Sequence, residues 1–196
     1  LIKIDSAKSF DFVSFSETEP RVGDWVMAVG NPFGLSSTVT TGIISARGRD
    51  IGSGPYDDFL QIDASINKGN SGGPAFDLEG NVVGINTAIF SPTGGSVGIG
   101  FAIPASTAEA VIQSLKDNGS VTRGWLGVQI QSLSEDAAQA LGLPNANGAI
   151  VAEVIDGSPA QKGGVKQGDV VLKMNGTPVK DNRDLSRKVA ALQVGQ

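Results

Sequence analysis

The apolar runs of this chain are short, rich in β-branched residues, and most of them are halted by glycine. Trp25–Val29 stops at Gly30-Asn31-Pro32-Phe33-Gly34, and Thr38–Ile44 is strand-like around Gly42. Phe59–Ile62, Val82–Asn86 and Gly98–Ile103 follow, with Arg47–Asp58 and Ser91–Gly95 reading as polar loops. Runs of this length and composition make strands rather than helices, because branched side chains suit a pleated surface and no apolar stripe of helical period is present. Glycine supplies 27 of 196 residues, well above the usual ~7 %, and without the regular spacing of collagen. Short strands at regular spacing, each closed by a turn, imply a sandwich or barrel for residues 1 to about 103.

The rhythm then changes. Ser106-Thr107-Ala108-Glu109 has the pattern of a capping box, and Val111, Ile112 and Leu115 supply the apolar stripe of a helix that Asn118-Gly119 would end. Ser120–Arg123 reads as a linker. Beyond it come the expected strands Leu126–Ile130, Ala149–Ile155 and Asp169–Met174, and a short helix over Glu135–Leu141. Ser158-Pro159 sets an N-cap before a helix-starting proline, Asn175-Gly176 marks a turn, and Asp181 can cap a last helix carrying Leu185, Val189 and Leu192 on one face. The expected boundary lies between residues 121 and 122. Leu1–Asp5 reads as a strand already under way with no signal peptide, and Leu192–Gln196 leave a helix and stop; the two abrupt ends suggest a segment of a longer polypeptide.

The formal net charge is −5, which argues against a nucleic-acid surface, and no apolar run approaches the ~18–20 residues of a membrane span. The chain contains neither cysteine nor histidine. Disulfides, thiolate nucleophiles and the usual zinc sites are thereby excluded within these residues, as is a complete Ser-His-Asp triad.

Against that background one stretch carries chemistry: Gly69-Asn70-Ser71-Gly72-Gly73-Pro74. Acyl transfer by serine needs a hydroxyl on a tight turn and backbone N–H groups converging where the oxyanion forms. Glycines on both sides of Ser71 permit such a turn and let a substrate approach. A plain glycine-rich turn with an incidental serine satisfies a shorter string, but not the whole of this one placed between two strands.

Here the chain resembles the HtrA/Deg (Do-like) proteases, in which a trypsin-like domain precedes PDZ domains. The matching strings are Gly30–Gly34, Gly69–Pro74, Gly84-Ile85-Asn86-Thr87 and Gly100-Phe101-Ala102-Ile103-Pro104, then Gly124–Val128, Ser158-Pro159-Ala160 and Gly168–Val171. They cover essentially the whole chain in the family's order. The resemblance implies a mainly β chain: the C-terminal portion of a trypsin-like double β-barrel over 1–121, followed by an α+β PDZ domain over 122–196 that lacks its last part. It makes Ser71 the nucleophile and the N–H groups of Gly69 and Ser71 the oxyanion hole. The family's His and Asp would lie before Leu1. A lysine base at Lys68 or Lys3 is a poor substitute, because it would have to be desolvated and Lys68 sits in a polar turn.

By the same resemblance Ser65 lies at the base of the S1 pocket, uncharged, with Ile66, Ile89 and Phe90 lining it; each of these three equally fits ordinary packing. Arg49 corresponds to the family's sensor arginine, or is a solvated charge. In the PDZ part, Gly124-Trp125-Leu126-Gly127 would receive a peptide's C-terminal carboxylate. Val128 and Ile130 would lie along the pairing strand, with Leu185 and Val189 on the opposite wall. The implied function is ATP-independent, cofactor-free endoproteolysis of unfolded or damaged proteins in the periplasm by a homo-trimer or larger assembly. The competing readings are a non-enzymatic PDZ-containing chaperone and an inactive protease relative.

Overall fold

The computed structural model describes residues 1–192 and 195, so the expected exit from the last helix falls partly outside the described residues, at Gln193, Val194 and Gln196. Its contacts separate into two units, residues 1–53 with 57–121, and residues 54–56 with 122–196.

In the first unit six strands close into an antiparallel barrel. They are β1 (Trp25–Gly30), β2 (Thr38–Arg49), β3 (Phe59–Ile62), β4 (Pro74–Phe76), β5 (Val82–Ile89) and β6 (Gly100–Pro104), in the order β1-β2-β3-β6-β5-β4. The pleat sends alternate residues inward, so Val26 and Ala28 of β1 are buried while Trp25 is exposed. With Ile44, Leu60, Ile62, Ala64, Ile66, Ala75, Val83 and Ala102 they make the core. Burying a side chain the size of Ile44 or Ile62 contributes about 1.5–3 kcal/mol each. Small residues are needed where strands cross the narrow interior. A Cβ at Gly42 would stand 2.3 Å from the Ala64 nitrogen and from the Asp63 carboxylate, which itself accepts the Ile43 N–H at 2.6 Å.

Helix α1 (Ala105–Asn118) leaves β6 directly and ends at Gly119, left-handed at φ 68°, whose N–H bonds Leu115 O. The capping box does not form. The helix starts one residue early, Pro104 holds the cap position, and no side chain bonds there. Ser106 therefore lies inside the first turn, where its hydroxyl cannot reach back to the free N–H groups. Two further expectations are corrected. Arg47–Arg49 belong to β2 rather than to a loop, because after shifts in register Arg49 still pairs with Phe59. Leu1–Asp5 form no strand: residues 1–14 carry no regular structure, and the first bridge is Phe15 with Val82.

The second unit holds a three-stranded sheet, β7 (Val128–Ser132), β8 (Ala149–Val154) and β9 (Val170–Val171) in that order, and a hairpin of β10 (Lys173–Met174) with β11 (Thr177–Pro178). The expected strand Asp169–Met174 is thus two short strands in different sheets, divided at Leu172. The hairpin turns through Asn175 (φ 49°) and Gly176 (φ 78°), the positive pair that matches strand twist. Three helices follow their caps: α2 (Glu135–Ala140) from Ser134, α3 (Pro159–Lys162) from Ser158, and α4 (Asn182–Ala190) from Asp181, whose carboxylate accepts Asp184 N–H at 2.7 Å. Helix α4 packs on β7 and β8 through Leu185, with Val189 beside it. Among the described residues no helix is long and apolar enough to cross a membrane.

Candidate active site

Ser71 stands on a turn that is fixed from beneath and open above. The turn Asn67–Asn70 closes with Asn70 N–H to Asn67 O at 3.0 Å, and Gly69 adopts φ 107°, which only glycine takes without strain. Two backbone bonds lash the following residues to β5, Gly72 N–H to Asn86 O and Asn86 N–H to Gly73 O at 2.8 and 2.9 Å, and Gly73 N–H closes back on Asn70 O at 3.0 Å. On the other side the segment Asn31–Phe33 is docked, with Asn31 N–H to Gly69 O at 3.1 Å and Phe33 N–H to Lys68 O at 2.9 Å.

These bonds have a directional consequence. In a trans peptide the C=O and N–H point opposite ways. The Lys68 carbonyl is held by Phe33, so the Gly69 N–H points away from that segment. Among the described residues neither Gly69 N–H nor Ser71 N–H donates to a protein acceptor. The Ser71 hydroxyl is exposed and donates to the Thr87 carbonyl at 3.0 Å. That carbonyl orients the hydroxyl but is no base.

The second unit offers a groove of about 410 Å³ lined by Trp125, Leu126, Met174, Leu185, Val189 and Leu192 among others. Strand β7 pairs only with β8 among the described residues, so its other edge is open. Leading into it, the Leu126 and Gly127 carbonyls accept Ala160 and Ile155 N–H, both at 2.9 Å. The N–H groups of Trp125, Leu126 and Gly127 bond no protein acceptor among the described residues. Gly127 (φ 81°) is required there, since a Cβ would fall 2.2 Å from that of Ser158. Leu126 and Gly127, expected within the strand, instead precede it in this loop.

Residues 1–85 match the trypsin-like peptidase domain family, and residues 124–196 the PDZ domain family. The chain is 65 % identical over 196 residues to a Rhizobium meliloti protein named "Probable periplasmic serine endoprotease DegP-like", and 62 % identical over 198 residues to one of the same name from Brucella suis. In both cases all of this chain is covered but 39 % of the relative. Among solved structures, the HtrA-type protease AlgW with tripeptide superimposes with a TM-score of 0.87 at 47 % identity, covering 99 % of this chain and 65 % of that one. A serine endoprotease from Yersinia pestis gives 0.70 at 37 %, covering 99 % and 62 %. The chain is similar over its whole length to DegP-like and HtrA-type proteases. It spans about two fifths of the length of the curated relatives it matches.

The other residues singled out by the HtrA resemblance are placed as follows. Ser65 is exposed, and its carbonyl accepts the Thr40 hydroxyl at 3.0 Å. Ile66 is 2 % exposed in the barrel core, Ile89 is half-buried against that core, and Phe90 is 61 % exposed. Arg49 donates from Nε to Gln61 Oε1 at 2.8 Å, along the β2–β3 pair. Lys68 is exposed. In the PDZ unit Trp125 is exposed, Gly124 fits against the Val189 carbonyl, where a Cβ would be 2.2 Å away, and Ile130 packs with Leu185. Sequence reasoning missed Asn70, Asn86 and Thr87 as parts of the serine site, and Met174 and Asn175 as lining of the groove. The strings containing the first three were already quoted as motifs, so their position beside Ser71 was the available signal.

Proposed function

We propose that the protein is a serine endopeptidase of protein quality control, with Ser71 as its nucleophile. The observation that carries this is the Ser71 turn: an exposed, oriented hydroxyl beside two unclaimed N–H groups. Ser71 Oγ attacks the scissile carbonyl and its proton passes to a general base. The carbonyl oxygen, now negative, receives the N–H groups of Gly69 and Ser71; the amine leaves with a proton, and water hydrolyses the acyl-enzyme. These 196 residues contain no histidine, so the base belongs to a part of the protein outside them, as the family's order of motifs implies. No cofactor is required by this chemistry.

The reading extends to the two domains, 1–121 and 122–196. Ser65, Ile66, Ile89 and Phe90 form an uncharged S1 pocket for small aliphatic residues, and Arg49 supports the oxyanion hole. The PDZ groove takes a free C-terminus on the N–H groups of Gly124–Gly127, the peptide adding as a strand beside Val128 and Ile130 and facing Leu185 and Val189. Substrates are unfolded proteins in the periplasm, and the working form is a homo-trimer or larger. The names of the DegP-like relatives support the activity and the compartment.

The test is to incubate the whole protein and its Ser71→Ala variant with unfolded casein and with a fluorophosphonate probe. Turnover and labelling in the first and neither in the second are expected. An unlabelled whole protein would point to the chaperone or inactive-relative reading. Residues 1–196 alone are expected to give no measurable turnover, since losing triad members leaves only ~10³–10⁴-fold acceleration over water.

A further inference from the structure

Two asparagines lie buried under the Ser71 turn, Asn70 at 1 % exposure and Asn86 at 0 %. Each holds one bond and leaves one polar atom without a partner among the described residues. Asn70 Oδ1 accepts Asn67 N–H at 3.4 Å, while its Nδ2 is buried and unpaired. Asn86 Nδ2 donates to Pro74 O at 3.2 Å, while its Oδ1 is buried and unpaired. Turning either amide over does not help. It would set Asn70 Nδ2 against a donor and Asn86 Oδ1 against an acceptor. The two orphans are complementary, a donor and an acceptor, and both residues are stitched to the same turn through Gly72 and Gly73.

An apolar side chain of similar volume at either position would avoid the penalty of an unpaired buried amide. What the amide of Asn70 does is close the turn a second time. Backbone N–H of residue 70 bonds residue 67, and the side chain of residue 70 bonds residue 67 in return. The same side chain is clasped by the Gly30 backbone, where a Cβ would stand 2.9 Å from Nδ2 and from Cα of Asn70. Gly69 lies inside that doubly closed turn and Ser71 follows it directly.

We propose that Asn70 is a positioning residue: its buried carboxamide, seated on Gly30, sets the turn that aims the Gly69 and Ser71 N–H groups. It touches no substrate. The proposal rests on the reading of Ser71 as nucleophile.

The test uses the whole protein, with Asn70→Leu, Asn70→Ser and Gly30→Ala measured by peptide turnover, fluorophosphonate labelling and thermal melting. Loss of a single oxyanion donor lowers kcat about 100- to 1,000-fold. Asn70→Leu is expected to keep its melting temperature, lower kcat about 100-fold and shift KM less than about 3-fold, the signature of lost transition-state contact. Gly30→Ala should reproduce that split by displacing the carboxamide. An Asn70→Leu or Asn70→Ser protein that folds and keeps kcat within about 3-fold overturns the inference. So does failure of both to fold, which would make Asn70 a residue of the barrel and not of the turn. Absence of any Ser71-dependent turnover before substitution overturns the functional reading itself, and this inference with it.

Discussion

Replacing Gly69 by alanine separates the backbone geometry of the turn from its sequence. The new Cβ would lie 2.2 Å from the Asn31 carbonyl oxygen, 1.2 Å inside the 3.4 Å at which ordinary contact begins. That neighbour is backbone and cannot swing aside. A non-glycine residue at φ 107° also costs about 1–3 kcal/mol. Relieving the clash moves residues 68–70 off the Asn31–Phe33 segment and breaks the two bonds between them, about 1 kcal/mol each. Together these come to about 3–5 kcal/mol against the arranged turn, or roughly two to four decades in its population. The assay is the rate at which a fluorophosphonate labels Ser71 in the whole protein. Labelling is expected to fall at least about 100-fold. Gly80→Ala is the control, because it carries similar backbone strain at φ 84° in the β4–β5 turn but meets nothing within 4 Å. Equal labelling of the two variants would refute the claim that docking on Asn31–Phe33 orients the Gly69 N–H.

Gly42→Ala should destabilise the barrel by about 3 kcal/mol or more and lower its melting temperature by roughly 10 °C, read by calorimetry. In α4, burial pushes the Asp184 carboxyl up, but the Lys188 ammonium and the Lys180 N–H, with Arg187, outweigh it and hold it below its ordinary value. A depressed folded value means stability that is present at neutral pH and lost as pH falls through it. Asp184→Asn should therefore melt lower at pH 7 and show a shallower acid limb. Amidating an apolar C-terminal peptide should weaken its binding to the PDZ groove, followed by the emission of Trp125, while equal affinity for both forms would remove carboxylate capture. Mapping of cleavage sites on a denatured protein should find small aliphatic residues at P1, and mainly Lys or Arg there would reject an uncharged pocket.

Much of the architecture was legible because it depends on local chemistry. Phe59–Ile62 was readable to the residue, since a branched run between polar loops has one reading. The caps at Ser158, Asp181 and Gly119 were readable because their partners lie within four residues. What failed depended on distant partners. Pro74–Phe76 is too short to show alternation and is a strand because β1 and β5 flank it. Arg47–Arg49 look like loop residues and are held in β2 by the pairing of Arg49 with Phe59 across a shifted register. The Ser106 capping box had the correct residues in the correct order and lost to Pro104, where the strand runs into the helix without a break.

The serine site shows the same division inside a single motif. Gly69–Pro74 announces a nucleophile turn by itself, but the reason for each glycine is found in another part of the chain. Gly69 is small because the Asn31 carbonyl lies over it, Gly73 because the Val29 carbonyl is 2.4 Å from where its Cβ would be, and Gly30 because Asn70 fills that space. The strings Gly30–Gly34 and Gly69–Pro74 therefore interlock through two glycines, Gly30 against Asn70 and Gly69 against the Asn31 carbonyl. A side chain added at Gly30 or Gly69 is felt in both strings, because each would press on backbone atoms that cannot repack around it. This is why composition could place a turn at each string while the function resides in neither alone: Ser71 is aimed by the fit between them.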